Sequence, residues 1–362
     1  MTKALILLSG GLDSMLAARL LMEQGVEVTG LSFKSYFFGT AKAKKVAERL
    51  GVKLIEMDFS EEHLAMVKNP QYGYGKNMNP CVDCHALMLG KAREIIENPP
   101  LNLPFTKGEN VNGEYDFVAT GEVLGERPMS QNPEALRLVE KIAGLKGRLI
   151  RPLSARLLDE SDLEKTGRVD RSRLLDLNGR GRKRQLAMVK KYGIKEYSSP
   201  GGGCILTDPV FSEKLMKLME YWPECSGNDI ELLKHGRIYW LTLKTSKDAK
   251  GRQGGSRALV VVGRDQQDNE NLLRFVQTGD ILINMAEAAG PTSLIRIKNY
   301  ELKITNETRE IKVPQELKMS ELKMDEGKNG EEIISLVALL ASYYATKVRG
   351  RKVKLEVRSK NL

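Results

Sequence analysis

After Met1 and Thr2 the chain reads Lys3-Ala4-Leu5-Ile6-Leu7-Leu8-Ser9-Gly10-Gly11-Leu12-Asp13-Ser14, and this stretch decides the fold of its N-terminal part. The apolar first half has the length of a buried strand, and the two glycines predict a tight turn. The next ten residues, 15–24, are compatible with a helix. Glycine lets the backbone approach an anion closely, and the first N–H groups of a helix point toward it. The stretch therefore predicts a phosphate-binding loop.

Side chains of this loop can complete the phosphate site. Ser9 and Ser14 supply hydroxyl donors, and Asp13 could hold a Mg²⁺ ion that bridges phosphates. The loop lacks the lysine of a Walker motif and the three spaced glycines of a dinucleotide fingerprint. It resembles the PP-loop of the ATP pyrophosphatases, which split ATP between its α and β phosphates. The alternative is an ordinary tight turn with a serine helix cap.

Composition limits the class of protein. The 362 residues suffice for two or three domains, and the net charge of +10 with a pI of about 9.2 favours a polyanionic partner. We expect no signal peptide, no membrane segment and a cytoplasmic location, because residues 1–20 read as strand and turn and every apolar run is short. Four cysteines, two of them in Cys81-x-x-Cys84, indicate a reducing compartment and a chemical use.

Strands and helices alternate in the first part of the chain. Strands are expected at residues 3–8, 27–33, 53–58 and 116–120, and helices at 41–50 and 86–97. This order predicts an α/β domain with a doubly wound parallel sheet, whose ligand lies at the carboxyl ends of the strands. The PP-loop follows the first strand, and Thr120, Gly121 and Glu122 follow another, so we expect both groups to face the nucleotide.

A basic segment at 141–195 follows, and we expect it to contact RNA. The domain prediction places residues 1–215 in the nucleotide-binding domain, 216–236 in a linker and 237–362 in an α+β RNA-binding domain. Strands are expected at 237–245, 258–263, 282–286, 292–297 and 352–358, with a helix at 331–347. A solvated charged helix is the alternative reading of the basic segment. The candidate RNA-binding residues are Arg180, Arg182, Lys183, Arg184, Lys250, Arg252 and Arg264.

The cysteines have several possible uses. A Cys-x-x-Cys motif can be half of a zinc site, a redox pair or part of a cluster ligand set. Cys204, in the glycine loop 198–204, is the expected third partner, whereas Cys225 has no evident companion. Three thiolates could pass sulfur through a persulfide and a disulfide, or they could hold a [4Fe-4S] cluster with one open iron. For either sulfur chemistry we expect thiols of lowered pKa.

Four motifs together resemble the tRNA thiouridylase branch of the PP-loop family. They are the PP-loop, Asn79-Pro80-Cys81-x-x-Cys84, Ala119-Thr120-Gly121-Glu122 and Gly202-Gly203-Cys204. The resemblance implies an enzyme that adenylates a tRNA uridine with ATP and Mg²⁺ and then replaces its oxygen with sulfur, with 4-thiouridine favoured over 2-thiouridine. It implies catalytic roles for Asp13, Cys81, Cys84 and Cys204. The ATP-binding residues would be Ser9, Gly10, Gly11, Leu12, Asp13, Ser14, Thr120 and Gly121.

The C-terminal part is similar to the RNA-binding region of NFACT proteins. The similarity rests on Val262-Gly263-Arg264-Asp265, Asn269-Glu270, Gly279-Asp280 and Gly290-Pro291. It implies that this part grips tRNA, with the basic loop 247–257 on phosphates. The sulfur donor, a cysteine desulfurase or sulfide, is then expected to be external.

Two other functions fit some of these features. One is a PP-loop amidotransferase or ligase that uses ammonia, although such chemistry requires neither the placed cysteines nor a basic module. The other is a non-catalytic RNA-binding quality-control factor, which the intact Ser9–Ser14 loop disfavours. The sequence gives no indication of the oligomeric state.

Overall fold

The computed structural model of the protein describes residues 1–98, 115–197, 204–244, 256–298 and 306–360. Gly202, Gly203, Lys250 and Arg252, which the sequence analysis singled out, lie outside these ranges. The chain divides into two compact units, Met1–Ser212 and Glu213–Leu362, and the division falls within one helix. In the described part of the chain, no helix has the length and apolarity needed to cross a bilayer.

The first unit is an α/β domain. Its strands are β1 (Lys3–Leu7), β2 (Glu27–Lys34), β3 (Lys53–Asp58), β4 (Phe117–Ala119) and β5 (Leu149–Ile150). Its helices are α1 (Leu12–Met22), α2 (Ala41–Leu50), α3 (Ser60–Lys68), α4 (Cys81–Glu97), α5 (Pro133–Ala143), α6 (Asp162–Lys165) and α7 (Lys183–Lys191). The strands form one parallel sheet in the order β3-β2-β1-β4-β5. The predicted doubly wound fold is therefore confirmed.

Alternation along the central strand β1 explains the two layers of helices. Ala4 and Ile6 are buried in one core cluster with α1 and α7, whereas Leu5 is buried in another with α4 and α5. Successive residues of a strand point to opposite faces, so an uninterrupted apolar strand needs a helical layer on each side. Because β1 lies at the centre, the loop that follows it lies between β2 and β4.

The second unit is an α+β domain with an antiparallel sheet. Its strands are β6 (Arg237–Thr242), β7 (Arg257–Val262), β8 (Ile281–Met285), β9 (Ser293–Ile297), β10 (Glu307–Lys312) and β11 (Lys352–Ser359). They pair in the order β10-β11-β8-β9-β7-β6. Helix α10 (Gln266–Arg274) follows β7, and the apolar helix α11 (Gly330–Tyr344) packs in the core of the unit.

The segment predicted as a linker, 216–236, is mostly helical. Helix α8 (Pro209–Tyr221) extends into it, and α9 (Gly227–Leu232) follows. Leu215 and Leu218 are fully buried, and Trp222 is nearly so. Their spacing of three and four residues is typical of a helix that buries one face.

Candidate nucleotide and sulfur-transfer site

The PP-loop connects β1 to α1 through a hydrogen-bonded turn. Gly11 N–H donates to Ser9 Oγ at 3.3 Å, and Ser14 Oγ donates to the Gly11 carbonyl at 3.0 Å. Gly11 is the N-cap of α1, and no described side chain caps that helix end. The first N–H groups of α1 are thus available to an anion, as the sequence predicted for a phosphate site.

Two glycines allow the loop to pack closely against its surroundings. Gly10 has φ of +80°, and a Cβ built there would lie 2.4 Å from Lys42 Cβ. A Cβ on Gly121 would lie 2.4 Å from the backbone nitrogen of Ser14. The segment after β4 therefore rests directly on the start of α1 because Gly121 lacks a side chain, and Gly10 in the same way lets the loop pack against α2. Thr120 and Gly121 are thus next to the PP-loop, although the Thr120 side chain is buried.

Asp13, the candidate magnesium ligand, lies in an ion-pair cluster. Its Oδ2 accepts a hydrogen bond from Arg182 at 3.0 Å, and the same guanidinium nitrogen lies 3.0 Å from Glu126 Oε1. Burial raises the pKa of Asp13, as does the Glu126 charge, while Arg182 lowers it. Asp13 Oδ1 is buried and has no hydrogen-bond partner among the described residues. A buried carboxylate oxygen left without a partner fits a Mg²⁺ ligand.

The predicted RNA contacts at the start of α7 do not share one environment. Arg180, Lys183 and Arg184 are exposed, and Arg184 pairs with Asp176 at 2.7 Å. Arg182 instead points into the PP-loop cluster, with 20% of its side chain exposed. Gln185, one helical turn further, is almost completely buried and lies close enough to Asp13 to lower the pKa of that carboxyl. The structure thus places Arg182 beside the candidate nucleotide site.

Glu122 does not face the nucleotide as a free carboxylate. Its Oε2 accepts hydrogen bonds from Thr120 Oγ1 and from Arg151 Nε, each at 2.9 Å, and its Oε1 lies 2.8 Å from His85 Nδ1. Glu122 and Arg151 are both buried, and the Arg151 charge holds the pKa of Glu122 far below its usual range against the effect of burial. Arg151 also binds Glu140 at 3.0 Å. This charged network links the ends of β4 and β5 to helix α4. The sequence analysis did not identify Arg151.

The three predicted cysteines converge in the first unit. Cys81 and Cys84 lie in the first turn of α4, and Cys204 precedes a short 3₁₀ turn at Ile205–Thr207. Negative charge on Cys81 or Cys204 would raise the pKa of Cys84, so the three sulfur atoms interact electrostatically. All are free thiols; Cys84 is buried, and Cys81 and Cys204 are partly exposed. Cys225 lies buried in the second unit.

Polar contacts build this arrangement from distant parts of the sequence. Asn77 Nδ2 donates to the Thr207 carbonyl at 2.7 Å, which ties the Cys204 turn to the loop before α4. Asp83, between the two cysteines of the motif, accepts hydrogen bonds from the N–H groups of Gln71 and Tyr72 at 2.9 and 3.1 Å. The residue between the cysteines therefore holds the incoming loop against the helix start.

The expectation of thiols with lowered pKa is wrong for this structure. Burial raises the pKa of Cys204 to about 11, and it raises the pKa of Cys81 and, more strongly, of Cys84. The positive charge of Arg127 opposes this effect at Cys81 and Cys204. Arg127 directly follows Glu126, so adjacent residues of one loop act on the cysteines and on the PP-loop cluster. Its position in Gly125-Glu126-Arg127-Pro128 was the available signal, which the sequence analysis did not use.

The three cysteines are also candidate ligands for a cluster. Among the described residues, no three His, Cys, Asp or Glu side chains are arranged to hold a metal ion. The proposed mechanism therefore uses free thiols, and the [4Fe-4S] cluster stays a prediction.

In the second unit, Arg264 is part of a strand–helix corner. It is exposed, but it binds Asp268 through two hydrogen bonds of 2.5 and 3.1 Å. Asn269 Oδ1 accepts from Thr292 N–H at 2.9 Å, and a Cβ on Gly263 would lie 2.1 Å from that oxygen. Several residues that carry the NFACT resemblance thus stabilise the corner between β7 and α10. The resemblance itself and the RNA contact of Arg264 stay predictions.

Comparison with known proteins shows what the N-terminal part of the chain is similar to. Residues 2–121 match the family model described as the tRNA methyl transferase HUP domain. The tRNA-specific 2-thiouridylase of Treponema denticola is 36% identical over 97 residues, which cover 23% of this chain and 26% of that protein. A protein of the same name from Fusobacterium nucleatum is 25% identical over 240 residues, 64% of this chain and 57% of that protein. The chain therefore spans only about a quarter to about a half of the length of these relatives.

Among solved structures, a 4-thiouridine synthetase in complex with RNA and bound ATP shares 21% sequence identity with this chain. The alignment covers 64% of this chain and 52% of that one, with a TM-score of 0.36. Three observations point to the same kind of domain: the family model that matches residues 2–121, the relatives, and the geometry of the PP-loop. The N-terminal part of this chain is thus similar to the tRNA methyl transferase HUP domain and to tRNA-specific 2-thiouridylases, and it carries a PP-loop.

Proposed function

We propose that the protein is an ATP-dependent tRNA sulfurtransferase that adenylates a uridine and replaces its oxygen with sulfur. The observation that carries the proposal is the occurrence, in one unit, of an uncapped PP-loop with Asp13 and of three converging free cysteines. The net charge of +10 supports a polyanionic substrate. Ammonia-dependent PP-loop chemistry requires no group of thiols, and a non-catalytic factor requires no Asp13 with an unpartnered buried oxygen.

In the first step, the uridine carbonyl oxygen attacks the α-phosphorus of ATP, and pyrophosphate leaves with the bonding electrons. The N–H groups at the start of α1 and the hydroxyls of Ser9 and Ser14 bind and orient the phosphates. Asp13 would hold Mg²⁺, which supplies positive charge to the phosphate oxygens. The result is a uridine whose oxygen carries AMP, a far better leaving group than the original oxygen.

In the second step, sulfur arrives on a cysteine. A persulfide donor, such as a cysteine desulfurase, transfers its terminal sulfur to Cys204, whose partial exposure permits access. That sulfur attacks the activated carbon, and the C–O bond breaks to release AMP. The Cys81 thiolate then attacks the Cys204 sulfur, which breaks the persulfide S–S bond and leaves the sulfur on uridine. A Cys81–Cys204 disulfide remains, and an external dithiol reduces it.

The adenylation step is tested by pyrophosphate release with tRNA and ATP. Asp13→Asn is expected to lose pyrophosphate release, since it loses a carboxylate charge next to the phosphates. Cys204→Ala is expected to release pyrophosphate normally but to give no thiolated nucleoside. Cys225→Ala is the matched control, because Cys225 lies in the other unit and is expected to behave as wild type. Wild-type pyrophosphate release by Asp13→Asn would refute the assignment.

The product identifies the carbon that receives sulfur. Mass spectrometry of tRNA nucleosides separates 4-thiouridine from 2-thiouridine by chromatographic retention against standards. We propose 4-thiouridine, as the sequence analysis favours; the names of the Treponema and Fusobacterium relatives would predict 2-thiouridine. Measuring iron in anaerobically purified protein tests the cysteine route separately. Iron-free protein that still thiolates tRNA with a persulfide donor supports it, and activity that strictly requires bound iron contradicts it.

A further inference from the structure

Arg182 has a double ion pair that the proposed reaction does not yet use. One guanidinium nitrogen lies 3.0 Å from Asp13 Oδ2 and 3.0 Å from Glu126 Oε1. The three side chains are only 15–20% exposed, so their charges interact in a medium of lower dielectric than water. The single positive charge of Arg182 thus partly compensates two partly buried carboxylates that would otherwise repel each other.

The Asp13 carboxylate is not saturated by this contact. Its Oδ1 is buried without a partner among the described residues, and the neighbouring Gln185 side chain, which lowers the pKa of Asp13, has a buried Oε1 that also lacks one. One carboxylate oxygen of Asp13 and the amide oxygen of Gln185 thus lack a donor or a cation in the part of the chain that the structure describes. Arg182 satisfies one side of Asp13, and the other side is prepared for a positively charged ligand.

The spacing of residues along helix α7 determines which of its side chains face the PP-loop. Arg182 is the N-cap of α7, and Gln185 follows three residues later, so both lie on the face toward α1. Lys183 and Arg184 lie on the exposed side. Arg182 therefore faces the PP-loop, whereas its basic neighbours Lys183 and Arg184 face solvent.

We propose that Arg182 is a nucleotide-responsive residue, which holds Asp13 in the nucleotide-free protein and transfers its guanidinium to the ATP phosphates when a divalent cation takes Asp13. This inference rests on the proposed ATP-dependent function. A guanidinium matches phosphate oxygens as well as carboxylates, so the exchange conserves its hydrogen bonds. Arg182 then contributes charge compensation in both states: to Asp13 and Glu126 without nucleotide, and to phosphate with it.

The test uses Arg182→Gln and two binding measurements on the full chain. Without nucleotide, Mn²⁺ is the probe, and its binding is followed by electron paramagnetic resonance. The variant is expected to bind Mn²⁺ more tightly than wild type, because Asp13 and Glu126 lose their internal counter-charge. ATP binding in the presence of Mg²⁺, measured by calorimetry, is expected to weaken by about 10- to 100-fold, since charge-assisted hydrogen bonds to phosphate are lost.

Opposite changes in the two affinities distinguish the proposal from its rivals. A structural role for Arg182 would weaken both, and a role in RNA binding alone would change neither; either result overturns the proposal. Arg184→Gln, which removes a neighbouring exposed arginine paired with Asp176, is the matched control and is expected to leave both affinities unchanged. Circular dichroism melting confirms that each variant is folded. Absence of ATP binding by the wild type would instead refute the proposed function.

Discussion

Asn77 Nδ2 and the carbonyl oxygen of Thr207 form a 2.7 Å hydrogen bond between residues 130 positions apart. Asn77 has φ of +55°, a left-handed conformation that Asn adopts more readily than most residues. Thr207 Oγ1 in turn donates to the Cys204 carbonyl at 2.8 Å. Two polar contacts in series thus fix the third cysteine beside the other two, and the first contact begins at a residue with unusual backbone geometry.

Asn77→Gly is expected to slow formation of a Cys81–Cys204 disulfide. Glycine keeps the left-handed backbone but removes the side-chain hydrogen bond, so the Cys204 turn is held less firmly. The rate is measured by mild oxidation followed by peptide mass spectrometry. Asn77→Ala, which adds backbone strain to the same loss, is expected to have at least as large an effect. A wild-type rate in Asn77→Gly would show that the contact does not position Cys204.

Gly121→Ala is expected to reduce ATP affinity by about 100-fold, because its methyl group would displace the start of α1 by overlapping with Ser14. Calorimetric titration with ATP and Mg²⁺ measures the effect. Gly90→Ala is the control: no atom lies within 4 Å of its Cβ position in α4, so it is expected to keep ATP affinity. It should also stabilise the helix by up to about 1 kcal/mol. Equal ATP affinities for the two variants would contradict the close packing of Gly121 on the PP-loop.

Glu122→Gln is expected to lower the free energy of unfolding by about 3 kcal/mol, because Arg151 then stays buried with less compensation. Urea unfolding monitored by circular dichroism measures the loss. Glu140→Gln removes the second, more exposed partner of Arg151 and is expected to cost about 1 kcal/mol. The network would be mis-assigned if Glu140→Gln cost as much as Glu122→Gln.

His63 is expected to make the first unit less stable at acid pH. It is fully buried, stacks on Phe59 with ring centroids 4.9 Å apart, and neither ring nitrogen has a hydrogen-bond partner among the described residues. Burial lowers its pKa from 6.5 to about 4. Between these values the unfolded chain binds a proton that the folded unit does not, so stability falls as the pH falls from 6.5 toward 4.

His63→Leu should remove this dependence. Between pH 7.5 and pH 5, the variant should lose about 2 kcal/mol less unfolding free energy than the wild type, as urea titrations at the two pH values measure. An identical pH dependence in both proteins would mean that His63 is accessible to protons in the folded state.

The sequence predicted the regular elements well, because hydrophobic patterning is local. The predicted bounds of α2 and β3 agree with the structure. The strand predicted at 237–245 is shorter in the structure, where it spans Arg237–Thr242. The PP-loop was found because of its Gly10-Gly11 pair, of which Gly10, with φ of +80°, requires glycine. Helix α4 begins at Cys81, five residues before the predicted start: Pro80 is its N-cap, and Asp83 lies in its first turn.

Pairings between distant charges were not predictable from one sequence. The Glu122–Arg151 pair joins residues 29 positions apart, and any of many basic residues could have served. Arg182 was grouped with its neighbours because composition weights all arginines equally. The spacing of Arg182 and Gln185 at the start of a helix was the only local signal that these two residues face inward. The environment of the thiols, which raises their pKa, likewise depends on packing that the motif spacing does not encode.

Helix α7 has Arg182 and Gln185 toward the PP-loop and Lys183 and Arg184 toward solvent. A single rigid element of nine residues therefore joins the two surfaces. Binding free energies are reciprocal: if tRNA on the outer surface changes the affinity for ATP by some factor, ATP changes the affinity for tRNA by the same factor. If the protein has the proposed function, the order in which ATP and tRNA bind would be set by their concentrations, and each would help to retain the other when the coupling is positive.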